Sequence, residues 1–220
     1  MGFLTGKTAI ITGGSRATLA DGSCGSIGYG IATAYAKEGC NLVLTGRNMK
    51  KLTDAKEELE SKYGIKVLAV QADVSEGQDN KAVVENVVKQ AVDTFGGIDV
   101  LINNAQASAS GAGLFGNFGQ CSYAAAKEGI RGLTRVAATE WGKDGINVNI
   151  VCPLAWTAQL EQFEKAYPEA FKANVKMPPM GHYADPETEI GRGCVALAHP
   201  DFKYMSGETL TFEGGMGLRP

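Results

Sequence analysis

Tyr123-Ala124-Ala125-Ala126-Lys127 sets a phenol and an ammonium four residues apart. On a helix, positions i and i+4 lie one above the other on the same face. A free tyrosine titrates near pH 10, by ordinary values about three units above neutrality, which is too high for ready proton exchange. A lysine ammonium beside it favours the phenolate and lowers that pKa. The pair therefore suits proton transfer at an oxygen, as in the interconversion of a carbonyl and an alcohol. Taken alone, the same spacing is also a common surface pair.

A second constellation lies near the N-terminus. Thr12-Gly13-Gly14-Ser15-Arg16 follows an apolar run, and a helical pattern opens near Ser26-Ile27-Gly28-Tyr29-Gly30. Glycines at such a turn let backbone approach a pyrophosphate, and the helix N-terminus supplies free N–H groups with a partial positive charge.

The elements that must position these groups alternate along the chain. Strands are expected over Lys7–Gly13, Asn41–Gly46, Lys66–Val74, Asp99–Ala105, Ile146–Cys152 and Glu208–Phe212. Helices are expected over Ser26–Glu38, Met49–Tyr63, Lys81–Phe95 and Ser122–Trp141, with another opened by Asp185-Pro186, an N-cap followed by proline at the first helical position. Near-continuous apolar strands separated by helices predict a parallel sheet covered on both faces. The fold expected is α/β, a doubly wound parallel sheet, in one domain over residues 1–220, since no Pro/Ser-rich linker or internal repeat divides the chain.

With these motifs in this order, the sequence resembles the short-chain dehydrogenase/reductase family, whose fold is Rossmann-like. Thr12 and Gly13 match the start of that family's T-G-x-x-x-G-x-G turn, and Ile27 and Gly28 match its end, with Ser26 in the place of the middle glycine. Ala17–Gly25 are nine extra residues inside the turn. The Ser-Ile-Gly spelling is closer to the divergent, enoyl-reductase-like branch. Asp73-Val74 stands where the family hydrogen-bonds the adenine amino group. Asn103-Asn104-Ala105-Gln106 resembles the motif N-N-A-G with Gln106 for glycine. Cys152-Pro153-Leu154-Ala155-Trp156-Thr157 resembles P-G-x-x-x-T with Leu154 for glycine. The matches run from residue 7 to about 215.

The resemblance implies hydride transfer between a nicotinamide cofactor and a small-molecule carbonyl or secondary alcohol. Tyr123 would be the general acid/base, and Lys127 would lower its pKa and hold the nicotinamide ribose. Ser110, thirteen residues before Tyr123, would bond the substrate oxygen as charge develops. Thr12, Gly13, Ser15, Arg16, Ile27, Gly28, Asp73, Val74, Asn103, Ala105, Pro153 and Thr157 would contact the cofactor, together with Tyr123 and Lys127. The second strand ends in Thr45-Gly46-Arg47-Asn48, with no acidic residue to accept from a ribose 2′-OH. Arg47 offers a planar cation suited to a 2′-phosphate, and Arg16 a second one, so NADP(H) is favoured over NAD(H). A substrate lid is expected over about 154–184. Trp156, Phe163, Tyr167, Phe171, Met177 and Met180 in it suit an apolar substrate or the lid's own packing. The helix Ser122–Trp141 is apolar on more than one side, so one side could meet a partner, and the resemblance implies a homodimer or homotetramer.

One part of the family pattern is missing. Only six residues separate Asn103 from Ser110, whereas a parallel crossover needs a dozen or more. Either a helix–strand unit is absent between them or the chain is a shortened variant, and the intact serine offset favours the first. A nucleotide-binding protein with impaired catalysis is the alternative function.

Composition narrows the remaining classes. With 21 Lys+Arg against 24 Asp+Glu the net charge is −3, which disfavours a general nucleic-acid binder. Hydrophobic content of 44% excludes a disordered chain. The five cysteines are odd in number and form no C-x-x-C, as expected of reduced thiols in a cytoplasmic protein. No signal peptide and no membrane-spanning run is expected. His182 and His199 are isolated, and no metal site is expected.

Overall fold

The computed structural model describes residues 2–73, 80–105 and 121–216, and of 121–123 the backbone alone. The described residues fall into two compact units. One comprises the described residues up to 105 with 156–176 and 185–195, and the other comprises 121–155, 177–184 and 196–216.

The first unit is built on four parallel strands, β1 (Thr8–Thr12), β2 (Asn41–Gly46), β3 (Val67–Gln71) and β4 (Val100–Ile102). Their order is β3-β2-β1-β4, so the connections step outward from β1 in both directions. This is a Rossmann-like α/β arrangement, and ligands in such sheets bind at the strand C-termini where the order reverses, between β1 and β4. All five residues of β1 and four of six in β2 are buried, which is why these strands read as unbroken apolar runs.

Helices α1 (Ile27–Lys37), α2 (Met49–Tyr63) and α3 (Asn80–Phe95) make the crossovers. In α2, Leu52, Ala55 and Leu59 recur at helical spacing and are wholly buried, each leucine contributing about 1.5–3 kcal/mol by burial. Asn48 caps that helix by accepting the Lys51 amide at 3.0 Å, and Gly64 ends it in the left-handed region. The bounds of β2 and α2 are those expected from the sequence. Strands β1, β3 and β4 are shorter than expected at their ends.

The segment opened by Asp185-Pro186 begins as a π-helical turn over Pro186–Gly191 rather than as a regular α-helix, and continues as α7 (Arg192–Leu197). Asp185 takes the amides of Glu187 and Thr188 at 2.9 and 2.6 Å. Ile190 and Val195 are buried there, and the Tyr35 hydroxyl of α1 donates to the Cys194 carbonyl at 2.9 Å. Arg192–Glu38 and Lys37–Glu187 ion pairs fasten the rim. Two short helices, α5 (Ala158–Ala166) and α6 (Pro168–Asn174), complete the unit.

The second unit carries α4 (Cys121–Trp141) and a parallel pair, β5 (Ile150–Pro153) and β6 (Thr209–Phe212). Strand β5 starts four residues later than expected because the preceding residues have other partners. The Asn147 side chain donates to the Phe202 carbonyl, Val148 donates to the Ser206 hydroxyl, and the Asn149 amide bridges the backbone of Met205 and Glu208.

Among the described residues the strands form two ladders, β3-β2-β1-β4 and β5-β6. Strand β4 has three residues, and among the described residues its only ladder partner is β1. Among the described residues no strand follows β4 before β5. Among the described residues no helix is long and apolar enough to cross a membrane, and no group of three His, Cys, Asp or Glu gathers as metal ligands would.

Candidate active site

At the end of β1 the chain turns sharply through Gly13, whose φ of +70° suits glycine. A Cβ on Gly28 would lie 2.3 Å from the Gly13 carbonyl oxygen and 2.5 Å from Asn104 Nδ2, so only glycine lets helix α1 come this close to the turn. The Ser26 carbonyl takes the Gly30 amide at 2.9 Å to start α1. Its hydroxyl turns away to the Ser15 carbonyl at 3.3 Å, and the helix has no side-chain cap and no acidic residue in its first turn. The amides of Ile27, Gly28 and Tyr29 are thus presented with a partial positive charge, a donor set that fits a pyrophosphate.

The end of β4 is clamped to this turn. Thr12 Oγ1 accepts the amides of Asn104 and Ala105 at 3.0 and 2.9 Å. Asn104 Nδ2 donates to the Thr12 carbonyl at 2.9 Å. The Thr12 hydroxyl, expected at the cofactor, is therefore engaged in holding β1 and β4 together. Asn104 rather than its neighbour Asn103 is the side chain that spans the gap. The doubled asparagine was the available signal, but nothing in the sequence said which of the two faced the turn.

The two arginines differ. Arg16 donates through Nε to Glu58 on α2, which also receives Lys62 Nζ. The hydrogen bond to Glu58 raises the Arg16 pKa against the cost of desolvation. Burial works against the Glu58 charge, but bonds from Lys62, Arg16 and Tyr29 outweigh it and hold the carboxyl below its usual range. Arg47, just past β2, is exposed, and among the described residues no ion pair involves it. Its carbonyl accepts Gln71 Nε2 at 2.9 Å, and Ala72 donates to the Gly46 carbonyl at 3.0 Å, which carries β3 forward to Asp73. Ser15 lies against Gly46, where a Cβ would meet its hydroxyl at 2.6 Å. Glu58 and Tyr29 were not singled out from sequence, because a partner 42 residues from Arg16 leaves no local pattern.

In the second unit, Tyr123 and Lys127 fall one turn apart on α4, as their spacing requires, with Lys127 half-buried. The Tyr123 side chain, Ser110 and Val74 lie outside the described residues. Pro153 closes β5 opposite Phe212. Thr157, expected at the cofactor, belongs to the first unit and caps α5 by accepting the Leu160 amide at 3.3 Å. Near it Trp156 meets Phe171 edge to face at 6.1 Å, and Phe163 lies 5.9 Å from Tyr167 and 6.1 Å from Phe171.

Comparison with known proteins decides what these parts belong to. Residues 7–109 match the family model described as short chain dehydrogenase, and residues 106–217 match the one described as enoyl-(acyl carrier protein) reductase. A 12alpha-hydroxysteroid dehydrogenase of a Clostridium species is 56% identical, covering 100% of both chains. The chain belongs to the short-chain dehydrogenase/reductase family. It is an oxidoreductase of the class that acts on CH–OH and C=O groups with a nicotinamide cofactor.

Other family members are more distant. A 3-oxoacyl-(acyl-carrier-protein) reductase of Staphylococcus epidermidis is 29% identical over 96% of this chain and 98% of its own. L-Sorbose reductase from Gluconobacter frateurii, solved with NADPH and L-sorbose, aligns with TM-score 0.81 at 25% identity, covering 100% of this chain and 99% of that one. A Burkholderia xenovorans family member aligns with TM-score 0.84 at 22% identity over 100% of both. The alignment with the Clostridium enzyme runs over 266 positions against 220 residues here, so that enzyme carries about 46 residues for which this chain has no counterpart.

Proposed function

We propose that the protein is an NADP(H)-dependent hydroxysteroid dehydrogenase. The observation that carries this reading is the 56% identity, over the whole of both chains, to an enzyme named for a hydroxysteroid substrate. When bound, the cofactor supplies or accepts the hydride. Tyr123 gives a proton to the carbonyl oxygen in reduction and takes it from the hydroxyl in oxidation, and Lys127 stabilises its phenolate. Ser110 orients the reacting oxygen. The amides at the start of α1 hold the pyrophosphate, Asp73 and Val74 the adenine, and Asn103, Ala105 and Pro153 the nicotinamide end.

Arg47 supports the phosphorylated cofactor, because it is an exposed guanidinium at the end of β2 with no carboxylate beside it in sequence. The aromatic group of Trp156, Phe163, Tyr167 and Phe171 supports an apolar substrate body. We read 1–220 as one catalytic domain that works as a homodimer or homotetramer. Exposed Ile130, Leu133 and Val136 on α4 favour such association. The 46 unmatched positions correspond, in this reading, to the helix–strand unit expected between Asn104 and Ser110, since the two family matches meet at residues 106–109.

The experiment is an oxidation assay with a panel of hydroxysteroids, each offered NADP+ and NAD+. Turnover of at least one hydroxysteroid, faster with NADP+, is expected. Turnover of 3-oxoacyl thioesters or sugars with none of any steroid would overturn the substrate reading, and better use of NAD+ the cofactor reading.

A further inference from the structure

The nine residues that lengthen the glycine turn form a small hairpin of their own. Thr18 and Cys24 pair antiparallel. Leu19 donates to the Ser23 carbonyl at 3.0 Å and Gly25 to the Ala17 carbonyl at 2.8 Å, and the Asp21 carboxylate takes both the amide and the hydroxyl of Ser23. The base of the hairpin is the nucleotide turn itself, closed by the Ser26 hydroxyl on the Ser15 carbonyl.

Two of the hairpin's backbone groups point out of it and are used by α5. The Ala158 amide, first of that helix, donates to the Gly25 carbonyl at 2.9 Å. The Ala20 amide donates to the Glu161 carboxylate at 3.1 Å, and Lys165 pairs with the same carboxylate at 3.2 Å. The contact is close. A Cβ on Gly25 would lie 3.0 Å from Ala158 Cβ and 2.8 Å from the Thr18 carbonyl carbon. A bond to a charged acceptor is among the stronger hydrogen bonds, and here it joins residues 141 apart in the chain.

We propose that the hairpin 17–25 is a strap that sets the position of α5 from the nucleotide turn, with Glu161 as its positioning residue. The proposal rests on the reading above, in which the turn holds a dinucleotide and α5 belongs to the substrate lid. Dinucleotide bound at the turn then steadies the hairpin and, through Glu161 and Gly25, the first helix of the lid. By linkage, a steadied lid binds substrate more tightly, and bound substrate strengthens dinucleotide binding by the same factor.

Backbone hydrogen exchange on the full chain tests it, with NADPH as the probe. Without nucleotide, Glu161→Ala should speed exchange of the Ala20 and Ala158 amides about tenfold, the order expected for losing one bond to a charged group. Glu161→Gln keeps an acceptor oxygen and should stay near the parent. In the parent, NADPH should slow exchange at Ala158. In turnover, Glu161→Ala should raise the substrate KM several-fold and leave kcat within about twofold, as for a group that sets binding rather than chemistry. Unchanged exchange at Ala158 in Glu161→Ala overturns the strap. A parent that binds NADPH by fluorescence titration yet shows no slowing at Ala158 overturns the linkage. A parent that fails to bind NADPH at all removes the nucleotide reading and the linkage with it, while the exchange comparison without nucleotide still decides the strap.

Discussion

Arg16 and Arg47 offer the same charge in the sequence, but only the fold separates them. Glu58 satisfies Arg16 from α2, whereas Arg47 stands exposed past β2. Glu58→Gln should therefore release Arg16 and increase the preference for NADPH over NADH, and Arg47→Ala should reduce it. Binding of both cofactors to each variant checks this, and no change in either ratio would contradict it. The pH dependence follows from the same cluster. The folded Glu58 pKa lies below its unfolded value. Its stabilisation is fully present above the unfolded value, about pH 4.3 for a free glutamate, and is lost as pH falls through the folded value. An acid titration of Glu58→Gln should accordingly lose less stability in that window than the parent. At this scale the sequence revealed residue types and order but not partners. Thr12 and Thr157 bear the expected hydroxyls, yet one joins two strands and the other caps a helix. Asn104 does the work at the turn that its neighbour was equally placed to do.

The elements were legible wherever local chemistry marks their ends. Asn48 and Gly64 bracket α2, and its bounds follow from them. Strand β4 ends at Ile102, three residues before the expected Ala105, because Asn104 and Ala105 leave the ladder to donate to Thr12. The hairpin 17–25 carried no apolar alternation and its second anchor, Glu161, is far along the chain. The clamp between β1 and β4 makes a prediction of its own. Thr12→Val leaves the amides of Asn104 and Ala105 without their acceptor at a half-buried place, which should cost about 1–3 kcal/mol. A urea unfolding midpoint lowered with unchanged slope is the expected result, and an unchanged midpoint would show the clamp to be idle. Burial pushes the Cys40 and Cys194 thiols up to about 12. Both should resist a thiol reagent at pH 8 in the folded protein and react on unfolding, since the thiolate is the reactive form.

At the scale of the whole molecule, the order of the motifs was enough to name the family, while strand pairing was not legible, because the partners of each strand lie far along the chain and no local pattern marks them. Leu101 on β4 is 56% exposed and Val84, Val88 and Val92 form an exposed row along α3, all in the first unit, and Leu133 on α4 is 71% exposed in the second. So much apolar surface on one small chain calls for a cover. We expect the natural protein to have an intact mass above the 23.1 kDa of these 220 residues, by the 46 unmatched positions, and to sediment as a dimer or tetramer at micromolar concentration. An intact mass of 23.1 kDa with full activity would show that the shortened sheet works, and a monomer would remove the oligomer. The central claim is that Tyr123 moves the proton in a nicotinamide-dependent carbonyl–alcohol interconversion. It is tested most directly by following reduced nicotinamide during hydroxysteroid oxidation by the parent and by Tyr123→Phe, with cofactor binding measured on both. Turnover in the parent, its loss by several powers of ten in Tyr123→Phe, and nearly equal cofactor affinity are expected, since the lost hydroxyl acts in the transition state. A Tyr123→Phe variant that keeps most of the parent's turnover would contradict it.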